Sequence, residues 1–430
     1  MLAEHIYRVD DVFVPGGIPE LTYVNRAGGD LETQLANIRR GYTKMVTVTG
    51  STKTGKSVLV NRIFPRDTGE SIWIDGGTIK EENDLWSSVL AELPEPSSRE
   101  TYSEAEDTVG ARAGVASEAN AVVVKAKIDG GVESSARKMD GQKVVSNVGS
   151  ERVRAIRALR VAKIPLIIDD FHYLPRTFQG DVLRALKPLI FSGQAIIAIA
   201  IPHRRYDAIR VEREMTGRLE QITVAEWNAK ELREIPQKGF PLLNLRASNS
   251  VNDRMVQEAY GSPHLMQEFC KQVCRRNGVT ETVTPTKEII HFDERLFNEV
   301  AEQTGRIVYE KLRKGPRQRT DRIQRELITG EQLDIYGVVL AALAALQPGL
   351  KRVEYEGIRG VIQDLVKKRE HMPQRNEISR VLDKMSTIAT SDESSVPVID
   401  WDSEDGILHI TDPFFAFYLK WGAGVETSSL

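Results

Sequence analysis

The sequence predicts an α/β protein in which a parallel β-sheet is covered by helices on both faces and is followed by a helical region and a C-terminal winged helix. Between 41 and 225, short apolar runs alternate with helix-like segments, which is typical of a parallel sheet. The pattern is helical over 226–290, and 291–430 predicts further helices that end in a strand pair. The strands predicted for the sheet are Met45–Thr49, Ser71–Asp75, Pro165–Asp169, Ala195–Ile201 and Gln221–Val224.

Pattern and composition divide the chain into four regions. These are an N-terminal linker over 1–40, the sheet domain over 41–225, a helical region over 226–290, and a helical and winged-helix region over 291–430. A flexible insertion rich in Ser, Glu and Gly, over 95–150, is expected to interrupt the sheet domain. Within it, "VVVKAKIDGGVESSA" predicts a hairpin that turns at Asp129, Gly130 and Gly131.

Composition is that of an ordinary soluble protein. Of the 430 residues, 41% are hydrophobic and 28% charged, and the net charge of −3 gives no global indication of a nucleic-acid partner.

Cys270 and Cys274 lie four apart on one predicted helix, so we expect reduced core thiols and not a disulfide framework or a zinc site. The N-terminus lacks a signal layout, and the apolar run Val338–Leu346 is too short to span a bilayer. We therefore expect a cytoplasmic protein with no membrane partner.

A glycine-rich turn follows the first predicted strand. The segment from Gly50 to Ser57 matches G-x-x-x-x-G-K-[ST], and a helix is predicted to begin at Ser57. Glycines let successive backbone N–H groups converge, and the helix directs its positive dipole end to the same point, which suits phosphates. Lys56 is placed to reach the outer phosphates and the Ser57 hydroxyl to bind Mg²⁺. The alternative is a chance match in a serine-rich turn, but both flanks favour the phosphate loop. The predicted nucleotide contacts are Gly50, Ser51, Thr52, Lys53, Thr54, Gly55, Lys56, Ser57 and Val58.

Two adjacent carboxylates end another predicted strand, in "IPLIIDDFHYL" (Ile164–Leu174). Asp169 is placed to hold Mg²⁺, and Asp170 is placed to orient or deprotonate an attacking water. The alternative is an acidic loop after a buried strand, but its pairing with the phosphate loop favours a catalytic interpretation. The N-K-x-D motif, which recognises the guanine base in GTP-binding proteins, does not occur in the sequence, so ATP is favoured over GTP.

Basic residues follow or precede the later strands. His203, Arg204 and Arg205 follow the predicted strand Ala195–Ile201, where a cation is placed to sense the γ-phosphate. A solvated basic loop explains any one of them equally well. Arg218 lies just before the last strand, a position that directs it away from its own site and toward a neighbouring subunit.

Together these motifs resemble AAA+-type P-loop ATPases, in the group that includes the STAND signalling ATPases and the ORC/Cdc6-like proteins. The resemblance covers nearly the whole chain and also rests on "TYVNR" (Thr22–Arg26), "IPHRR" and "GSPHL" (Gly261–Leu265). It implies that 226–290 form a helical lid, that Val24 and Arg26 border the adenine, and that Pro263 closes the lid over the base. It also implies that Arg204 acts as a first sensor and Arg218 as an arginine finger in trans.

Two departures from that pattern predict slow hydrolysis. Many AAA+ motors carry Asp-Glu at the acidic strand, whereas this chain carries Asp169-Asp170, as is more usual in the STAND group. His264 occupies the position after Gly-Ser-Pro, where a lid arginine is expected.

The C-terminal region resembles the winged helix of the same group, with three helices before strands "VPVIDW" and "GILHIT" and a capped helix beginning at Asp412 and Pro413. Such a domain binds either DNA or protein. Basic side chains on or near the recognition helix favour DNA, namely Arg375, Arg380, Lys384, Lys367, Lys368 and Arg369, together with the run Lys311–Arg325. Glu377, Asp383 and an acidic wing turn oppose it, so we favour an intramolecular or protein contact over duplex binding.

The leading hypothesis is a STAND-type switch that binds ATP or ADP with Mg²⁺ and hydrolyses ATP to ADP and phosphate. It controls self-association or a separately encoded effector in signalling or antiviral defence, and the effector step rests on analogy. The alternative is a DNA-binding ORC/Cdc6-like or transposition-type initiator ATPase. A small-molecule P-loop kinase is disfavoured because it explains neither the lid nor the winged helix.

Overall fold

The computed structural model describes residues 5–39, 43–93, 150–201, 217–290, 293–317, 322–347, 352–389 and 397–423. Its central feature is a five-stranded sheet with the order β2-β3-β4-β1-β5, in which every neighbouring pair is parallel. Its strands are β1 (Met45–Thr49), β2 (Ile72–Asp75), β3 (Leu166–Asp169), β4 (Ile196–Ala200) and β5 (Leu219–Thr223). The predicted parallel sheet is therefore confirmed.

Helices cover both faces of this sheet, as predicted. Side chains of β1 and β3 alternate between two apolar clusters: Met45 and Ile168 face one cluster, and Val46 and Ile167 face the other. The N-terminal helix α1 (Val9–Val12) packs in the apolar cluster of the region 226–290 and is not one of the helices on this sheet. The helices of the sheet domain are α2 (Asp30–Ile38), α3 (Lys56–Ile63), α4 (Glu82–Glu92), α5 (Glu151–Ala162) and α6 (Arg176–Phe191). The predicted insertion 95–150 and its hairpin lie outside the described residues, except for Ser150, which directly precedes α5.

Only β1 has both ends where they were predicted, and the ends of the other four strands and of α3 were wrong by one or two residues. Helix α3 begins at Lys56 and not at Ser57, because Gly55 takes a left-handed backbone conformation (φ 86°) and ends the turn one residue earlier. Strand β5 begins at Leu219 and not at Gln221, since pairing with β1 starts where the Met45 N–H donates to the Arg218 carbonyl at 2.9 Å. The charged Glu220 hides this start from an apolar pattern.

The region 226–290 contains three helices and also a short strand pair that the sequence did not predict. The helices are α7 (Ala229–Leu242), α8 (Asn249–Glu258) and α9 (Pro263–Arg276), and the parallel strands are β6 (Leu245–Ala247) and β7 (Lys287–Ile289). Three-residue strands are too short to show a period of two, so their pattern was not recognised. Cys270 and Cys274 lie buried and unbridged on α9.

The C-terminal part is helical and ends in a small antiparallel sheet. Its sheet has three strands, in the spatial order Arg352–Glu354, Ile407–Ile410 and Ile399–Asp402, so the predicted strand pair was incomplete. The added strand is only three residues long and carries a charge at each end, which explains why it was missed. The elements are α10 (Arg295–Thr304), α11 (Arg306–Lys314), β8 (Arg325–Glu326), β9 (Gln332–Leu333), α12 (Ile335–Leu346), β10 (Arg352–Glu354), α13 (Tyr355–Leu365), α14 (Arg375–Ala389), β11 (Ile399–Asp402), β12 (Ile407–Ile410) and α15 (Pro413–Trp421).

One apolar cluster joins three distant parts of the chain. It includes Val12 and Val24 from the N-terminal linker, Phe269 from α9, and Phe417 from α15. The last helix therefore shares a core with the predicted lid, and the domain boundaries drawn at 40, 225 and 290 stay predictions. Within the described ranges, the longest apolar helices fall short of what is needed to cross a membrane.

Candidate nucleotide-binding site

The glycine-rich turn after β1 adopts the backbone that its sequence predicts. A Cβ atom at Gly50 would lie 2.2 Å from the Val224 carbonyl oxygen, so the close approach of the two backbones requires glycine there. Lys53 and Gly55 both have positive φ angles, 59° and 86°, and α3 begins directly afterwards. The Thr54 hydroxyl donates to the Ser51 carbonyl at 3.0 Å and closes the turn. The resulting loop surrounds the helix N-terminus, where an anion is stabilised.

Lys56 is held inside this loop. Its side chain is only 7% exposed, and its Nζ donates to the carbonyl oxygens of Gly50 at 3.0 Å and Ser51 at 2.7 Å. Burial lowers the pKa of Lys56 to about 8, opposed by the nearby charges of Asp170 and Asp169. A partly desolvated ammonium group of this kind gains most from an anionic ligand.

The two residues predicted to hold Mg²⁺ are in direct contact. The Ser57 hydroxyl donates to Asp169 Oδ1 at 2.9 Å, and Asp169 Oδ2 accepts from Arg66 Nη2 at 2.5 Å. Hydroxyl and carboxylate oxygens at the phosphate loop suit Mg²⁺, which uses one or two carboxylates and completes its shell with phosphates and water. The described residues contain no larger His, Cys, Asp or Glu cluster suited to a metal. Ser57 and Asp169 therefore fit the predicted ion.

Asp170 sits in a left-handed backbone conformation, with φ 51° and ψ 43°. A Cβ atom at Gly76 would come within 2.5 Å of the Asp170 carbonyl oxygen, so the loop after β2 packs closely here. Asp75, at the end of β2, is the register partner of Asp169. Burial, followed by the charges of Asp169 and Asp75, raises the pKa of Asp170 to about 6. A carboxylate with this pKa is suited to accept a proton near neutral pH.

A cavity of about 550 Å³ opens between the phosphate loop, the N-terminal linker and helix α9. This volume is in the usual range for small-molecule sites. The predicted site residues that line it are Val24, Arg26, Thr52, Lys53, Thr54, Gly55, Lys56, Ser57, Val58, Asp170 and Pro263. Gly50, Ser51 and Asp169 are not among its described lining residues, and Arg204 lies outside the described residues.

Arg26 lines the cavity, but its guanidinium group is engaged by protein acceptors. It donates to the carbonyl oxygens of Thr54 at 3.2 Å and Ala225 at 2.8 Å, and it pairs with Glu231 at 3.3 Å. The group also lies 4.5 Å from the centre of the Trp227 ring. Arg26 thus links the linker, the phosphate loop and helix α7, and its predicted place beside an adenine stays a prediction.

Sequence reasoning missed several residues at the cavity, of which Trp227 is the clearest. Its indole Nε1 donates to the Thr54 carbonyl at 2.9 Å. The only local signal was an aromatic residue directly before the Asn228–Glu231 capping box of α7. Tyr173, Ile235 and His264 also line the cavity without having been predicted.

His264 does not supply the cation that a lid arginine would provide. Its ring contacts the Phe414 ring edge-on at 4.8 Å, and a Cβ atom at Gly16 would lie 3.0 Å from its Cε1. Burial, and then the charge of Lys53, lowers the pKa of His264 to about 4. The imidazole is therefore neutral at pH 7.

Arg218 lies at the opposite end of the sheet from the phosphate loop. The strand after it pairs in parallel with β1, with Leu219 beside Met45, so Arg218 precedes the edge where β1 begins. Its guanidinium lies 4.1 Å from the centre of the Phe191 ring, which is exposed. Arg218 therefore cannot reach its own phosphate loop, and its role as a finger in trans stays a prediction.

Comparisons with known proteins found similarity only in structure. No family model matches the sequence, and no curated protein matches it. Cdc6p of Pyrobaculum aerophilum has 12% identity and a TM-score of 0.43, with 98% of each chain covered. The ORC1 protein of Aeropyrum pernix, in complex with DNA, has 11% identity and a TM-score of 0.44, with 100% of this chain and 99% of that chain covered.

A STAND protein with a tetratricopeptide repeat sensor, from Pyrococcus horikoshii, has 13% identity and a TM-score of 0.35. The match covers 96% of this chain but 46% of that one. Cdc6, ORC1 and STAND proteins are also the kinds of protein that the sequence motifs resemble. The likeness concerns the overall fold alone.

Proposed function

We propose that this protein is an ATP-dependent conformational switch of STAND type. It binds ATP or ADP with Mg²⁺ between the sheet domain and the helical lid, and it hydrolyses ATP slowly to ADP and phosphate. The state of the site controls self-association or a separately encoded effector in signalling or antiviral defence. The observation that carries the proposal is a direct contact between the phosphate loop and α15, the last helix that the structure describes.

That contact joins Lys53 of the phosphate loop to the first turn of α15. The Lys53 Nζ lies 4.4 Å from the centre of the Phe414 ring, and His264 of the lid packs against the same ring. Asp412 caps this helix by accepting from the N–H groups of Phe414 at 2.8 Å and Phe415 at 2.9 Å. A ligand that moves the loop therefore acts directly on the helix.

A buried charge network fixes the far end of α15 to the lid. Glu258 of α8 is 1% exposed, and its carboxylate accepts from Lys420 Nζ at 2.7 Å and from Trp421 Nε1 at 2.7 Å. It also pairs with Arg254 at 2.6 Å. Removing one partner of a buried ion pair typically costs about 3–5 kcal/mol, so the helix is held firmly in this arrangement. The two anchors give the switch a defined resting state.

The site residues support hydrolysis that is slow. When bound, Mg²⁺ neutralises developing charge on the phosphates, and Ser57 and Asp169 would hold it. Asp170, with its raised pKa, orients a water and accepts its proton. Lys56 stabilises negative charge on the outer phosphates. Neutral His264 adds no cation from the lid, which removes one source of transition-state stabilisation.

The nucleotide should change the size of the protein in solution. We expect light scattering after size exclusion to give different radii or masses with ADP and with a non-hydrolysable ATP analogue. Phe414→Ala should show the ATP-type value already with ADP, because Lys53 loses its contact with α15. Tyr355→Ala serves as the control, since that ring also lies against a cation, Arg375, at 5.3 Å from the ring centre, but in the C-terminal part and away from the phosphate loop. Equal sizes with both nucleotides would rule out the switch.

The alternative, a DNA-bound initiator, is favoured by two exposed basic residues on α14, Arg380 and Lys384. Other predicted DNA contacts are paired within the chain: Arg375 with Glu356, Lys367 with Glu326, and buried Arg325 with Glu377. Because these charges are already engaged, the proposed role of the domain is a protein contact.

Under the initiator alternative, the double variant Arg380→Ala/Lys384→Ala should bind duplex DNA more weakly. The slope of log affinity against log salt should fall by roughly one for each lost phosphate contact. Lys367→Ala is the matched control because Glu326 already neutralises that charge. Binding titrations across a range of salt concentrations measure both effects. If DNA affinity depends neither on salt nor on Arg380 and Lys384, the initiator alternative is excluded.

A further inference from the structure

Arg66 forms an ion pair with Asp169, the carboxylate that is predicted to hold the metal. It lies in the loop between α3 and β2, and its Nη2 donates to Asp169 Oδ2 at 2.5 Å. The other oxygen of Asp169 accepts from Ser57 Oγ at 2.9 Å. Both oxygens of the carboxylate are therefore partnered within the chain.

The position of Arg66 is fixed by its surroundings. Its guanidinium lies 4.1 Å from the centre of the Trp73 ring, and its backbone N–H donates to Asn61 Oδ1 at 3.0 Å. The Trp73 ring is itself held, since its Nε1 donates to the Phe64 carbonyl at 2.9 Å and to Ser71 Oγ at 3.1 Å. A planar guanidinium stacked on a fixed ring is directed at its carboxylate with little loss of freedom.

The charges at this edge of the sheet explain what Arg66 does. Asp75 and Asp169 are register partners at the ends of β2 and β3, and Asp170 follows directly. Among the described residues, Lys56 and Arg66 are the cations whose charges act on Asp170. A divalent cation on Asp169 would place two positive charges beside the guanidinium, and the two would repel each other strongly in a partly buried site. The side chain of Arg66 is 39% exposed, so it has a path to water.

We propose that Arg66 competes with a divalent cation for Asp169. The guanidinium neutralises the carboxylate while the site is free of metal, and it leaves Oδ2 when Asp169 takes up the cation. Arg66 thereby sets the cation concentration at which the site becomes loaded. The proposal rests on the proposed function, because it concerns the metal that accompanies the nucleotide.

The test uses Mn²⁺ alone as the probe, with free Mn²⁺ measured by electron paramagnetic resonance in titrations of the nucleotide-free protein. We expect Arg66→Gln to bind Mn²⁺ about tenfold more tightly than wild type, within the usual range of coupling between two ligands. Arg62→Gln is the matched control, because it removes the same charge from an exposed arginine on α3. The Arg62 guanidinium lies 5.3 Å from the centre of the Tyr23 ring and not at Asp169. Arg66→Ala should behave like Arg66→Gln.

Unchanged or weaker Mn²⁺ binding in both Arg66 variants would overturn the proposal, since Arg66 would then support the metal site or only the fold. A parallel titration with fluorescent ADP in EDTA separates this failure from failure of the proposed function. Wild type, Arg66→Gln and Arg62→Gln should bind ADP within about twofold of one another, as expected for changes at exposed charges. If wild type binds neither ADP nor Mn²⁺, the nucleotide site itself is wrong and the inference fails with it.

Discussion

Lys56→Ala should reduce ATP binding by at least about a hundredfold, the loss expected when a buried charge partner of a ligand is removed. Its Nζ is enclosed by the Gly50 and Ser51 carbonyl oxygens, in the loop where the outer phosphates are expected. No other described lysine is placed in this way, since Lys53 of the same loop is directed at the Phe414 ring. Isothermal titration calorimetry with ATP and Mg²⁺ measures the effect.

Lys44→Ala is the matched control for this substitution. It removes the same kind of side chain at the other end of β1, where Lys44 pairs with Glu220 at 3.4 Å, and we expect it to keep the ATP affinity. Lys56→Ala should also keep the fold, because the partly desolvated ammonium that it removes is itself costly to bury. If purified Lys56→Ala hydrolyses ATP like wild type, the site assignment is wrong.

The same residue gives the ATP affinity a defined pH dependence. Burial lowers the pKa of Lys56 to about 8, so the side chain is charged below that pH and loses its charge above it. Affinity should therefore fall as pH rises beyond about 8. Because a bound phosphate stabilises the ammonium, the pKa of Lys56 should be higher in the ATP complex than in the free protein. Lys56→Ala should show no such fall over this range.

The phosphate loop was predictable because its motif encodes its own backbone. Gly50 is required by the Val224 carbonyl, and Gly55 supplies the left-handed residue before α3. The contact of Ser57 with Asp169 was also predictable, since the carboxyl ends of parallel strands meet at one edge of a sheet. In both cases local sequence and a general rule of topology were sufficient.

The contacts that surround the loop were not predictable from the sequence, although Val24, Arg26 and Pro263 line the cavity as the resemblance implied. Arg66 and Trp227 reach the site from loops, and their contacts with Asp169 and Thr54 depend on how those loops pack. Arg26 was assigned to an adenine by resemblance, yet its guanidinium joins three parts of the chain. The contact of Lys53 with Phe414 joins residues that are distant in sequence and share no motif. Packing of this kind leaves no periodic signal.

Asp170→Asn should stop hydrolysis and keep nucleotide binding. Loss of a general base typically lowers the rate by about 10²–10⁴-fold, whereas the phosphate contacts of the loop remain. Asparagine is preferred to alanine because residue 170 has a φ of 51°, a conformation that asparagine accepts readily and alanine does not. Phosphate release and ATP titration measure the two effects separately. A variant that turns over ATP at the wild-type rate would exclude Asp170 as the base.

The same substitution should stabilise the nucleotide-free protein at pH 7. The pKa of Asp170 is raised from 3.8 to about 6, so the folded protein binds this proton more tightly than the unfolded chain does. The free energy of unfolding therefore falls as pH rises from about 3.8 to 6. At pH 7 the folded protein carries the full cost of the buried Asp170 carboxylate. Because the group is partly exposed, we expect a discounted gain of about 1–2 kcal/mol in the free energy of unfolding.

Urea denaturation at pH 7 and pH 5 tests the sign of this effect. The advantage of Asp170→Asn should shrink at pH 5, because part of the wild-type carboxyl is then protonated in the folded state and no longer carries the penalty. Asp75→Asn is the matched control: its charge also raises the pKa of Asp170, so it should stabilise in the same direction but by less, while Asp170 still serves as the base. An Asp170→Asn variant that is less stable than wild type at pH 7 would show that this carboxylate supports the fold. In that case its loss of turnover would no longer identify a base.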